Sequence, residues 1–208
     1  MSPAPVPYVG ERLREERLRR GVTVRSLARD LGVSASLISQ IETGKSQPSV
    51  STLYAMTSAL GITVDEVFGP PQGGVDGATA AAHDSLFGMV RSTRAGLVGP
   101  IVRPQDRSVL RLDSGVTWER LGHLPSKGVD FLLVTYEPGG TSGSSVRMSH
   151  AGVEYGYLLD GELVLTLGSD EHRLLPGDSL SFESSTPHGY RNDGSEPAVG
   201  VWFVIEPD

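Results

Sequence analysis

The sequence predicts an α+β chain of two domains, a five-helix segment followed by an all-β barrel. Three observations predict it. Up to residue 68, apolar residues recur at helical spacing. Residues 69–85, GPPQGGVDGATAAAHDS, are rich in Gly, Pro and Ala and carry no apolar periodicity. Beyond them, short stretches alternate apolar and polar side chains between Gly, Pro and Asp turns. The expected boundaries are 1–68 for the helical domain, 69–85 for a flexible linker and 86–208 for the barrel.

The helices follow in order. Gly10–Arg20 is charged, with Leu13, Arg17 and Leu18 near one face. Thr23 suits the N-cap of Val24–Leu31, whose Leu27, Ala28 and Leu31 form an inner face, and Gly32 stops it. Ser34 caps Ala35–Thr43, where Leu37, Ile38 and Ile41 are spaced to pack inward, and Gly44 ends that helix. Pro48 and Ser49 open a fourth helix reaching Leu60, and Val64–Phe68 forms a short fifth. In the second segment VLRL, VTWERL, VDFLLVTYEPGG, YGYLLDGELVLTLG, EHRLLPGDSLSFE, HGYRN and AVGVWFVIE read as strands. Many short strands of this kind close into a barrel or sandwich.

Composition narrows the function classes. There is no cysteine, so disulfides and cysteine-ligated zinc are excluded. No apolar run is long enough to span a membrane, and the N-terminal stretch lacks the apolar core of a signal peptide, so a cytoplasmic protein is expected. The net charge is −7, yet residues 1–68 hold eight Arg/Lys against seven Asp/Glu, while 69–208 hold ten against eighteen. The acidity sits in the second segment, which phosphate would repel.

Two short helices joined by a Gly-containing turn make a helix-turn-helix, whose second helix enters the major groove of DNA. VSASLISQIETG (33–44) supplies an apolar face for docking and short polar side chains opposite it. Gln can bond adenine twice, and Ser can serve any base. The stretch TVRSLARDLGVSASLISQIETGKSQPSVSTLYAMTSALGI resembles the xenobiotic-response-element family of lambda-repressor-like helix-turn-helix regulators over about residues 9–68. The resemblance implies that Ala35, Ser36, Ser39 and Gln40 lie at the bases, with the cap Ser34 also among the DNA-binding residues. It implies that Arg25, Ser26, Thr43, Lys45, Ser46 and Gln47 face phosphates. Glu42 reads as structural, bonded to Arg12 or Arg17.

In the second segment His150, Glu154 and His188 stand out. Two His and one carboxylate suit a first-row divalent metal, and open positions suit non-haem Fe(II). The surrounding sequence, GGTSGSSVRMSHAGVEYGYLLDG and PGDSLSFESSTPHGYRN, resembles the cupin family of double-stranded β-barrels over about residues 107–208. The family's first histidine falls on Met148 here, and a thioether is a poor ligand for hard ions. Three readings stay open: a facial triad holding Fe, Zn, Ni or Mn; a metal-free pocket for an organic effector; or a satisfied polar cluster. Candidate lining residues are Tyr136, Arg147, Met148, Tyr155, Tyr157, Phe182 and Trp202, with Arg147 favouring an anionic ligand.

The reading these features support is a transcriptional regulator with no catalytic residues. It binds a double-stranded DNA operator as a homodimer and senses a small-molecule effector in its cupin domain. The alternative is an enzyme: the same fusion and triad resemble hydroxypropylphosphonate epoxidase, a non-haem iron enzyme.

Overall fold

The computed structural model describes residues 9–68, 101–122, 128–143 and 147–205. The expected linker 69–85, the expected domain start at 86, His83 and His123 lie outside the described residues. Five helices form the head: α1 Val9–Arg19, α2 Val24–Asp30, α3 Ala35–Glu42, α4 Val50–Leu60 and α5 Val64–Phe68. Hydroxyl caps set three of the starts. Thr23 accepts from the Ser26 amide, Ser34 from Leu37 and Ser49 from Thr52. Gly61, in the left-handed region at φ 57°, ends α4.

Leu13, Leu27, Ile38, Ile41, Leu53, Met56 and Phe68 are fully buried and form the centre of the head. Gly10 lets α1 press on the end of α3: a Cβ there would sit 1.8 Å from the Ile41 carbonyl oxygen. Leu18 departs from its expected place. It is 58% exposed, because five residues of helix turn it away from the face that Leu13 and Arg17 share. Glu42 is structural. Arg17 donates to both its carboxylate oxygens, at 2.5 and 2.8 Å, and caps the Val22 carbonyl at 2.8 Å.

A short 3-10 turn at Pro104–Asp106 leads, among the described residues, into nine strands: β1 Val109–Leu112, β2 Val116–Gly122, β3 Val129–Tyr136, β4 Val153–Asp160, β5 Leu163–Leu167, β6 Asp170–Leu174, β7 Ser179–Glu183, β8 His188–Arg191 and β9 Ala198–Ile205. Two of the seven stretches read from sequence each hold two strands. Gly161, at φ 75°, divides one, and Pro176 with Gly177 divides the other. A six-stranded sheet of order β1-β2-β3-β9-β4-β7 and a three-stranded sheet of order β6-β5-β8 enclose the barrel core. Alternation sends Leu132, Val134, Tyr136, Glu154, Leu158, Trp202 and Val204 inward.

The outer face of the larger sheet is apolar at its centre. β3, β9 and β4 align there in rows, one of which is Val129, Ile205 and Val153. Tyr155, Tyr157, Leu159, Phe203 and Ile205 stand on this face with 39–49% exposure.

The head docks on the barrel. The Ser51 amide donates to the Ser142 carbonyl and the Asp113 amide to the Pro48 carbonyl, each at 2.9 Å. Buried Arg120 of β2 pairs with Asp65 at 3.2 Å and lies over the Phe68 ring at 5.3 Å.

Candidate metal centre and DNA-reading helix

β4 begins just after His150 and turns Glu154 inward, while β8 begins with His188. The two β-regions meet because Met148 and His188 exchange backbone hydrogen bonds, both at 2.8 Å. One ligand atom from each of His150, Glu154 and His188 lies within 4.8 Å of the others. Glu154 Oε1 is 3.0 Å from His150 Nε2 and 2.9 Å from His188 Nε2. The second contact lacks hydrogen-bond alignment, so the buried His188 Nε2 has no hydrogen-bond partner. Glu154 Oε2 instead accepts from the Tyr190 hydroxyl at 2.9 Å, and that hydroxyl accepts from the Trp202 indole at 3.2 Å.

The other ring nitrogens fix the chemistry. His150 Nδ1 lies 3.1 Å from the Ala151 carbonyl and His188 Nδ1 lies 2.8 Å from the Thr186 carbonyl. A carbonyl can only accept, so each Nδ1 carries the proton. Both Nε2 atoms then lie beside one carboxylate oxygen, each carrying a lone pair or a second proton. A divalent cation satisfies all three donors at once, and a backbone-held Nδ1–H is the usual support for a ligating imidazole. The donor set therefore fits a first-row metal. Burial alone would raise the Glu154 carboxyl, but the two imidazoles beside it hold it at about 2. Burial likewise lowers His188, and Glu154 more than reverses this, leaving its pKa raised.

The interior beside the triad is a cavity of about 20 Å³, room for roughly one water. Its walls include Trp118, Tyr136, Met148, Tyr190 and Trp202 of the barrel, and Val50 and Tyr54 of the head. The Tyr54 ring stacks flat on His150, with centroids 4.3 Å apart and planes within 3°, and it meets Trp118 edge-on at 5.8 Å.

On the head, Ser36, Ser39 and Gln40 of α3 are exposed, as are Arg25, Thr43 and Lys45 around it. Ala35, Ser26, Ser46 and Gln47 are half-buried beside them. The Ser34 hydroxyl is exposed but accepts from the Leu37 amide, and the Thr43 hydroxyl donates to the Ser39 carbonyl at 2.7 Å. Both hydroxyls already serve their own helix.

Residues 9–67 match the family model described as a helix-turn-helix domain, and residues 132–204 match the one described as a cupin domain. The chain is 29% identical over 196 residues to the HTH-type transcriptional regulator PuuR of Escherichia coli, spanning 94% of this chain and 91% of that protein. Its head is 35% identical over 63 residues to YazB of Bacillus subtilis, an uncharacterized HTH-type transcriptional regulator. That match spans 30% of this chain and 90% of YazB. The crystal structure of an HTH_3 family transcriptional regulator from Vibrio cholerae shares the fold, with a TM-score of 0.61 at 22% identity over 97% of both chains. The chain belongs to the helix-turn-helix transcriptional regulators that carry a C-terminal cupin domain.

Within this regulator the sequence-derived lining residues part company. Tyr136, Met148 and Trp202 line the cavity, and Phe182 packs edge-on to His188 at 5.0 Å. Tyr155 and Tyr157 do not reach it. They flank the inward Glu154 and Gly156 on β4, so strand alternation turns them to the outer face. Arg147 is exposed, donates to the Gly168 carbonyl and lines a separate polar cleft of about 510 Å³ beside Arg191 and Asp193. Tyr190, Trp118 and Tyr54 were missed. For Tyr54 a signal existed: Val50, Tyr54 and Thr57 form a second buried stripe on α4, beside the one that faces the bundle. Among the described residues no helix is long and apolar enough to cross a membrane.

Proposed function

We propose that this regulator works in the cytoplasm as a homodimer, reading an operator through α3, and that occupancy of the barrel interior sets the position of the head. Ala35, Ser36, Ser39 and Gln40 face the bases, and Ser34 does so through its helix start. Arg25, Ser26, Thr43, Lys45, Ser46 and Gln47 face phosphate. His150, Glu154 and His188 hold one divalent ion, Fe, Zn, Ni or Mn, with Met148 beside them as a non-ligand. When bound, the ion supplies a Lewis-acid anchor for a small effector.

The observation that carries this reading is Tyr54 of the head lying flat on His150 of the barrel. A cavity of about 20 Å³ does not admit an organic effector beside this ring. An effector therefore enters by moving Tyr54 and Val50, and its affinity differs between head positions, as coupling requires.

The test begins with in vitro selection of DNA by the full chain. Affinity for the selected site is then compared between metal-free protein and protein reconstituted with each of the four ions. A change of about 5- to 150-fold in the wild type, absent in His188→Ala, is the expected result. Tyr54→Ala should still take up metal but no longer pass the change to DNA. Failure to retain any of the four ions would end the metal reading.

The second reading is the non-haem iron enzyme, favoured by a three-residue ligand set that leaves coordination positions open. Fe(II)-dependent oxygen uptake by reconstituted protein would establish it.

A further inference from the structure

Resting on the metal reading above, we infer that the effector is a small monocarboxylate with a compact apolar body, and that the Tyr136 hydroxyl selects it. β3 ends at Tyr136, which pairs with Val116 of β2 and Ala198 of β9. Its carbonyl accepts from the Asn192 side-chain amide at 2.9 Å. The strand end is thus held on both sides, and Tyr136 takes the inward phase with Leu132 and Val134. The residue is 3% exposed and lines the cavity beside the triad. Among the described residues its hydroxyl has no hydrogen-bond partner, in contrast to that of Tyr190, which donates to Glu154 and accepts from Trp202. Burial and the Glu154 charge push the Tyr136 phenol up, so it keeps its proton and is a donor. Native cores seldom keep a buried donor unpaired, and an acceptor brought by a ligand satisfies this one.

Charge and shape select the class. Among the described residues, Glu154 is the single charged side chain lining the cavity. A divalent ion in the triad, set against that one carboxylate, leaves one positive charge. One negative charge on the effector neutralises it. A carboxylate also brings a second oxygen to accept from the Tyr136 hydroxyl, and charge-assisted hydrogen bonds of this kind are the stronger ones. The remaining walls, Leu132, Val134, Met148 and Val204 among them, are apolar. The second charge of a dicarboxylate would be buried against them without a partner. An ammonium would meet the excess positive charge, and a phosphate brings more acceptor oxygens than this wall has free donors. The body is compact because the space opens only as far as Tyr54 and Val50 give way.

The experiment is titration calorimetry of the full chain loaded with Zn(II), after elemental analysis has confirmed the ion, with 2-methylpropanoate as the probe. The acid should bind about tenfold more tightly than 2-methylpropanamide, the neutral molecule of the same shape, which is the difference between a charge-assisted and a neutral hydrogen bond. Butanedioate and butylammonium should bind more weakly still. Tyr136→Phe should retain zinc and lose about 10- to 100-fold in affinity for the acid. Without acid it should melt no lower than the wild type, because the hydroxyl it removes is unpaired. Zinc-loaded wild type without a preference for the acid overturns the inference. So does a Tyr136→Phe variant that binds the acid as the wild type does, or one that melts lower without acid, since its hydroxyl then had a partner already. A chain that retains no zinc ends the metal reading, and the inference with it, before any acid is added.

Discussion

In the head, the side chains that α3 turns outward are short and polar, and the buried ion pair Arg17–Glu42 serves packing. In the barrel, the arrangement is inverted: Glu154 and His188 are buried, and large aromatic side chains stand outside. The head thus holds its polar groups ready for a partner that brings its own charge and hydrogen-bonding edges. The barrel has withdrawn its polar groups from water, where electrostatic interactions are stronger. α4 belongs to both, with Leu53 and Met56 in the bundle and Tyr54 against the triad.

The comparison breaks first at the ion pair. Glu42→Ala leaves Arg17 buried without its carboxylate and should cost about 3–5 kcal/mol, read by denaturant unfolding. Arg17→Met combined with Glu42→Leu should recover most of that loss. A cost near zero for the single variant would mean that the head does not depend on its hidden charges. The barrel counterpart is Tyr190→Phe, which removes a hydrogen bond to the buried carboxylate. It should cost about 1.5–3 kcal/mol and lower metal affinity, both measurable on one preparation by calorimetry. Gln40→Ala sharpens the outward half of the contrast. About 1–3 kcal/mol of discrimination at one base position should disappear, and equal loss on selected and random DNA would remove Gln40 from the readers.

The smallest effect concerns pH. His188 is raised in the folded, metal-free protein above its ordinary 6.5. Its contribution to stability is therefore complete below pH 6.5 and is lost as pH rises through the raised value. The difference in Tm between wild type and His188→Gln should shrink across that window by about a few degrees. Saturating metal should remove this dependence, because the ion occupies the atom the proton would take.

The head was legible because its signals are local. The caps Thr23, Ser34 and Ser49 each lie within one turn of the helix starts they control. The triad was legible as a pattern of residue types, but its surroundings were not. Strand alternation has two phases, and the sequence alone leaves Tyr155 and Tyr157 as lining candidates; Glu154 and Gly156 take the inward phase and turn both outward. Tyr54 had no such local rule, since its partner His150 is nearly a hundred residues away. Only the second stripe on α4 hinted that this helix has two neighbours. Tyr190 lay in a stretch read correctly as a strand, and its hydroxyl acquires meaning only once β8 is set against β4.

Both tryptophans of the chain lie beside the triad's neighbours. Trp118 meets Tyr54 edge-on, and Trp202 meets Tyr190, which holds Glu154. The molecule therefore carries its own optical probes. Trp202→Phe leaves an indole whose emission reports whether the head is seated, and Trp118→Phe leaves one that reports the state of the triad. The order in which the two signals change after mixing with ion or effector would tell whether loading precedes the movement of the head or follows it.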